Sequence, residues 1–140
     1  MNMKNILVLL VSFCMLSFSV SYANEPQWKD WSEKTLAQAK QQDRFILIDL
    51  TAKWCQFCKK MEQTTYKDHA VIDELKKNYI AIKADEEEYP ELASRFAKVG
   101  RPGTIILDSN GKVLLTKTGY IKPQWMLWML QGTLAEYSDK

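Results

Sequence analysis

The chain of 140 residues predicts an α/β fold, a mixed central sheet of about four strands flanked by helices on both faces. Three observations carry that expectation. Short apolar runs rich in β-branched residues, Phe45 to Leu50, Tyr79 to Ala84 and Thr104 to Leu107, alternate with stretches of helical apolar spacing. After the third run, Asp108-Ser109-Asn110-Gly111 is a turn sequence, and Lys112 to Lys117 reads as an antiparallel return strand. The order helix, strand, helix, strand, helix, strand, strand, helix then gives a parallel βαβ half followed by a hairpin and a closing helix.

Residues 1–23 read as a signal peptide. Lys4 supplies a positive start, Ile6 to Val20 an apolar run of 15 residues, and Ser21 and Ala23 the small residues of a cleavage site. A bilayer-spanning helix needs about 20 apolar residues, so an uncleaved anchor is the less favoured reading. Cys14 is not read as a lipidation site, because the bulky Phe13 precedes it. Residues 24–140 then form one domain, 117 residues with 18 basic and 17 acidic side chains, a net charge of +1. Such a balance gives no reason to expect nucleic acid or an anionic membrane as partner.

Within that domain, Trp28 to Gln42 is predicted as a helix with Trp28, Trp31, Leu36 and Ala39 on one side, both tryptophans packing at the core edge. A helix from about Cys55 to Thr65 follows the first strand. Asp68 is a plausible cap for the next, which turns Val71, Ile72 and Leu75 inward. His69, the sole histidine, falls in its exposed first turn and reads as a surface residue. Pro90 opens a helix reaching about Lys98, and the acidic run Asp85 to Glu88 before it is read as complementing the helix dipole. Pro123 opens the last helix, whose apolar side is assigned to Trp125, Trp128, Met129 and Leu130.

The chemistry gathers at the end of the first strand. Cys55-Gln56-Phe57-Cys58 sits where a strand gives way to a helix, so Cys55 meets unpaired amide N–H groups and the positive end of the helix dipole. A thiolate there is stabilised, and its pKa falls below about 8.5. With Cys14 removed, these are the only cysteines, too few for a disulfide-stapled scaffold. Zinc wants four ligands, which one histidine and two thiols do not supply. A two-thiolate Cu(I) site with Met61 nearby stays open. Asp49 interrupts an apolar strand; if buried it should have a raised pKa and could exchange protons near neutral pH, and if at the strand end it reaches solvent.

The segment Ile48-Asp49-Leu50-Thr51-Ala52-Lys53-Trp54-Cys55-x-x-Cys58-Lys59 resembles the active-site segment of the thioredoxin superfamily. The continuation Lys60-Met61-Glu62-x-x-Thr65-Tyr66-x-Asp68-x-x-Val71 is similar to the periplasmic C-terminal thioredoxin-like domain of the thiol:disulfide interchange transporter DsbD and to small secreted relatives. The similarity runs from about Ala39 to Gly119. It implies a thioredoxin-like fold, Cys55 as exposed attacking thiolate, Cys58 as buried resolving thiol, and Asp49 as the carboxylate that moves a proton to or from Cys58. It further implies Pro102 as a cis-proline beside the disulfide, with Trp54, Arg101 and Gly103 completing a substrate-binding ledge. Gln56-Phe57, Arg101 and Gly103 depart from the usual pattern. A guanidinium near Cys55 would favour thiolate and make the couple more oxidising; otherwise Arg101 points to solvent or binds an acidic partner.

The resulting expectation is a periplasmic thiol:disulfide oxidoreductase that reduces disulfides of partner proteins through Cys55 and Cys58, without cofactor or metal. It would act as a monomer, drawing electrons from a membrane donor of the DsbD type. The rival expectations are a dithiol oxidase of the same fold and a non-catalytic module that holds a protein or copper.

Overall fold

The computed structural model describes residues 24–138, so the expected signal segment lies outside the described residues. In chain order the elements are α1 Glu33–Gln42, β1 Phe45–Thr51, α2 Gln56–Gln63, a 3₁₀ turn Thr65–Lys67, α3 His69–Asn78, β2 Tyr79–Asp85, α4 Pro90–Arg95, β3 Gly103–Leu107, β4 Val113–Thr118 and α5 Pro123–Tyr137. The strands lie in the order β2-β1-β3-β4. β1 runs parallel to β2 and antiparallel to β3, and β4 is the antiparallel return of the hairpin. β1 is therefore internal, and every residue in it is buried.

The sheet separates two apolar layers. Ile46, Ile48 and Leu50 of β1 pack with Ala39 of α1 and Leu92 of α4 on one face. Phe45 and Leu47 turn to the other, against Met61 of α2, Val71 and Leu75 of α3, and Met126 and Leu130 of α5. Burying each such side chain contributes about 1.5–3 kcal/mol, so this alternation fixes the register of β1. Asp49 is odd-numbered and is carried to the face of α2. Among the described residues, no helix is long and apolar enough to cross a membrane.

Several boundaries fall where local chemistry puts them. Asp68 caps α3 by accepting from the Val71 N–H at 3.1 Å, as expected. In the hairpin turn Asp108 Oδ1 accepts from the N–H groups of Asn110 and Lys112 at 2.9 Å each, and Gly111 takes φ 84°.

Three expectations are corrected. The first helix begins at Glu33, not Trp28, with Ser32 accepting from the Thr35 N–H at 3.1 Å. Before it the chain is extended against β2, with the Lys29 N–H donating to the Ala81 carbonyl at 2.8 Å. Three residues apart on extended chain means opposite faces, so Trp28 joins the layer of Met61 while Trp31 joins that of Ala39. The Pro90 helix ends at Arg95, although Phe96 and Val99 beyond it are still buried. On α5 the inward row is Met126, Leu130 and Thr133, and Trp125 and Trp128 project outward, 65% and 59% exposed.

Candidate active site

The turn from β1 to α2 places the two cysteines. The Cys55 N–H donates to the Ala52 carbonyl at 3.1 Å, closing the turn. Cys55 then occupies the N-cap of α2 with extended backbone, and its Sγ accepts from the Cys58 N–H at 3.1 Å. A sulfur thus takes the role usually played by a serine or aspartate oxygen, at the positive end of the helix. Cys55 and Cys58 are joined in a disulfide across this first turn. The resemblance implied an exposed Cys55 beside a buried Cys58; in this disulfide form each is only 3% exposed. The side chains that do project are their neighbours, Trp54 and Phe57.

Asp49 sits on the central strand, opposite Lys83 of β2 and Thr104 of β3. It is buried, not at a solvated strand end, and its Oδ1 has no hydrogen-bond partner. Burial, opposed by the nearby Lys83 cation and reinforced by Glu62, pushes its carboxyl up to about 7. Lys83 Nζ and Glu62 Oε1 are themselves paired at 2.5 Å. A groove of about 430 Å³ beside Cys58 is lined by Thr51, Lys59, Glu62 and Lys83, among others. The groove gives the α2 side of Cys58 a polar, solvent-connected flank. Tyr66 and Thr104 add two buried hydroxyls without an aligned partner in the same layer. The Tyr66 phenol is held well above its usual range by burial and by the charge of Asp49.

A second arm of the site comes from the segment before β3. The Arg101–Pro102 peptide is cis. The Pro102 carbonyl accepts from the Gly119 N–H at 2.8 Å, which ties this turn to the end of β4. Gly103 is required by space: a Cβ there would lie 2.8 Å from the Gly100 carbonyl oxygen and 2.9 Å from Val99 Cγ1. Arg101 neither points to solvent nor waits for an acidic partner. Its Nε donates to Glu86 Oε2 at 3.1 Å and its Nη1 to the Val99 carbonyl at 2.6 Å, and its side chain is 9% exposed.

Glu86 is the residue that the sequence reading missed. Its other oxygen, Oε1, accepts from Trp54 Nε1 at 2.8 Å, so one carboxylate fastens the residue before Cys55 to the residue before Pro102. Neighbouring Glu87 pairs with Lys53 at 2.8 Å. The acidic run thus braces the turn that carries the cysteines, whereas the dipole of α4 is left to Glu91. Nothing local in the sequence signals this, since the partners lie 15 to 34 positions away. Met61, considered as a copper ligand, is fully buried in the layer with Leu47 and Tyr66. Among the described residues no group of three or more His, Cys, Asp or Glu could hold a metal ion.

A mixed four-stranded sheet between helices, with a Cys-x-x-Cys disulfide at the strand-to-helix junction, defines the thioredoxin-like class of proteins. Comparison with known proteins narrows this. The chain belongs to the Thioredox_DsbH family, described as "Protein of unknown function, DUF255", which matches residues 15–127. The thiol:disulfide interchange protein DsbD of Yersinia pestis (strain Pestoides F) is 31% identical over 118 residues, 81% of this chain but 19% of that protein. The chain therefore spans about a fifth of the length of this curated relative. Among solved structures, a DsbH oxidoreductase superposes with a TM-score of 0.68 at 19% identity, covering 81% of this chain and 88% of that one. A thioredoxin from Thermus thermophilus gives 0.69 at 18% identity, with 80% and 89% covered. At such identities the two structures speak for the fold.

Proposed function

We propose that residues 24–140, released from a signal peptide over residues 1–23, work in the periplasm as a reductant of disulfides in partner proteins. The observation that carries this reading is the placement of Cys55 as the N-cap of α2, one turn from Cys58 and just beyond the end of β1, the strand that buries Asp49. In the reduced protein the Cys55 thiolate attacks one sulfur of the partner disulfide. That S–S bond breaks, a mixed disulfide forms, and the partner's other sulfur leaves as a thiolate that takes up a proton. Cys58 then loses its proton, with Asp49 as acceptor, and attacks Cys55 Sγ. The partner departs as a dithiol, two electrons richer, and this protein is left with the Cys55–Cys58 disulfide. A carboxyl with a pKa near 7 can take that proton and return it near neutral pH. The oxidised protein must then be reduced by an external dithiol, for which a membrane donor of the DsbD type is the proposed source.

The setting of Arg101 supports the reducing direction. Beside a Cys55 thiolate a free guanidinium would favour the reduced form and give an oxidising couple. Here that charge is engaged by Glu86 and a backbone carbonyl, which favours the reductant over the dithiol oxidase. The ledge of Trp54, Arg101, Pro102 and Gly103 would receive the partner's extended segment.

The test is the reduction potential of the Cys55–Cys58 pair, by equilibration with glutathione or dithiothreitol. A couple near about −270 mV supports a reductant, and one near about −120 mV makes it an oxidant. Absence of a defined couple returns the fold to a protein-holding or copper-holding module. In parallel, Cys58→Ser should accumulate mixed disulfides with a disulfide substrate, and Cys55→Ser should not.

A further inference from the structure

Beyond Cys55, the exposed surface changes character. Phe57, between the two cysteines, is 58% exposed, and its ring lies 6.4 Å from that of Tyr120. Tyr120 is fixed there: its hydroxyl is 3.0 Å from Thr64 Oγ1, and Lys60 Nζ stands 4.6 Å above its ring. Tyr120 also forms one wall of a groove of about 270 Å³, whose other walls include Lys117, Lys122 and Trp125. Trp125 continues the surface outward, with its ring 6.1 Å from Trp128. Among the described residues none of Lys60, Lys117 and Lys122 is paired with a carboxylate. The site is thus continuous through Phe57 and Tyr120 with an apolar groove walled by two unneutralised cations, Lys117 and Lys122, with a third, Lys60, over the Tyr120 ring. The acidic run at Glu86 and Glu87, by contrast, braces Lys53, Trp54 and Arg101. A solvated single-domain surface has no structural need for two projecting tryptophans in such a setting.

We propose that this groove is a docking track for an acidic, extended segment of the partner protein, adjacent to the disulfide being reduced. An apolar side chain of that segment lies against Tyr120 and Trp125, and a carboxylate next to it meets Lys117 and Lys122. Aromatic faces with cationic neighbours give contact area and orientation together, and the charge raises the rate of productive encounter. The groove would thereby select among disulfides that are equally reducible. The proposal rests on the reading of Cys55 and Cys58 as an exchange site and adds a specificity determinant to it.

The experiment compares two synthetic peptides with the same intrachain disulfide, one flanked by Glu-Leu and the other by Lys-Leu, and measures second-order reduction rates by stopped flow. With the reduced wild-type protein the Glu-Leu peptide should react about tenfold faster at low salt, and the ratio should shrink towards unity in about 1 M salt. In the double variant Trp125→Ala/Lys122→Gln the ratio should fall close to one. Both side chains are exposed, so an unchanged melting temperature will show that the fold survives. Equal rates for the two peptides, or a preference that the double variant retains, overturn the proposal. So does equal reactivity combined with dimerisation, or with binding to anionic vesicles, that the double variant abolishes; the patch then belongs to that occupant. Hydroxyethyl disulfide, small and neutral, separates the two levels. If the wild-type protein fails to reduce it, the exchange reading falls and takes this one with it.

Discussion

Replacing Asp49 by asparagine isolates the most unusual electrostatic feature of the molecule. The change keeps the shape of the side chain and removes its titration. Folding raises the carboxyl from 3.8 to about 7, so between these values the folded chain holds a proton that the unfolded chain has released. By linkage, stability from this group is greatest below the unfolded pKa and falls as pH rises towards the folded one. Two pKa values of 3.8 and about 7 put the penalty at less than about 1 kcal/mol at pH 4 and about 4 kcal/mol at pH 8. Asp49→Asn should therefore gain stability relative to the wild-type protein as pH rises, by about 3–4 kcal/mol between pH 4 and pH 8. Urea denaturation of both oxidised proteins across that range measures it, and taking the difference cancels titrations common to the two. Glu62, Lys83 and Tyr66, the titratable groups that interact with Asp49, remain in both. A difference independent of pH would refute the claim that Asp49 is protonated in the folded state at mildly acidic pH. The same variant, by the proposed mechanism, should resolve mixed disulfides more slowly at pH 7, so gain of stability and loss of turnover should appear together.

Four further substitutions test the bracing of the site and the packing of the layer beneath it. Gly103→Ala pushes a methyl group against the Gly100 carbonyl oxygen and Val99 Cγ1, and should cost about 1–3 kcal/mol by thermal or urea unfolding. Glu86→Ala leaves the buried Arg101 guanidinium without its carboxylate and Trp54 without its acceptor. A loss of about 1–3 kcal/mol is expected, with a non-additive double variant Glu86→Ala/Arg101→Met in a thermodynamic cycle. Tyr66→Phe deletes a buried hydroxyl that has no aligned partner and should change stability by less than about 1 kcal/mol. Tyr79→Phe deletes one that donates to the Leu130 carbonyl at 2.7 Å, and should cost about 1–2 kcal/mol; equal effects for the two tyrosines would contradict that contrast.

What was legible in the sequence is what short-range chemistry decides. The strands at Phe45, Tyr79 and Thr104 are apolar runs too short for helices, and the hairpin at Asp108 and the cap at Asp68 are set by side chains that bond their own backbone. The cysteines were legible for the same reason, since a strand end and a helix start are local events. The failures have a common cause in the tertiary structure. Trp28 and Trp31 satisfy helical spacing, but the backbone there finds a partner in β2, and the extended form separates them across the sheet. Trp125 and Trp128 fit an apolar helix face, yet Met126, Leu130 and Thr133 are the side chains buried, Met126 and Leu130 in the layer with Val71 and Leu75 of α3. An α5 that is apolar all round leaves its inward face undecided by composition alone. Glu86 went unnoticed because an acidic run near a proline has an adequate local explanation. Its actual partners, Trp54 and Arg101, come together only because the ends of β1 and β2 and the turn into β3 lie side by side in the sheet. A site assembled at the ends of adjacent strands thus takes its chemical group from one local motif and its bracing from residues distant in sequence. Motif reading therefore finds the nucleophile before it finds what holds it.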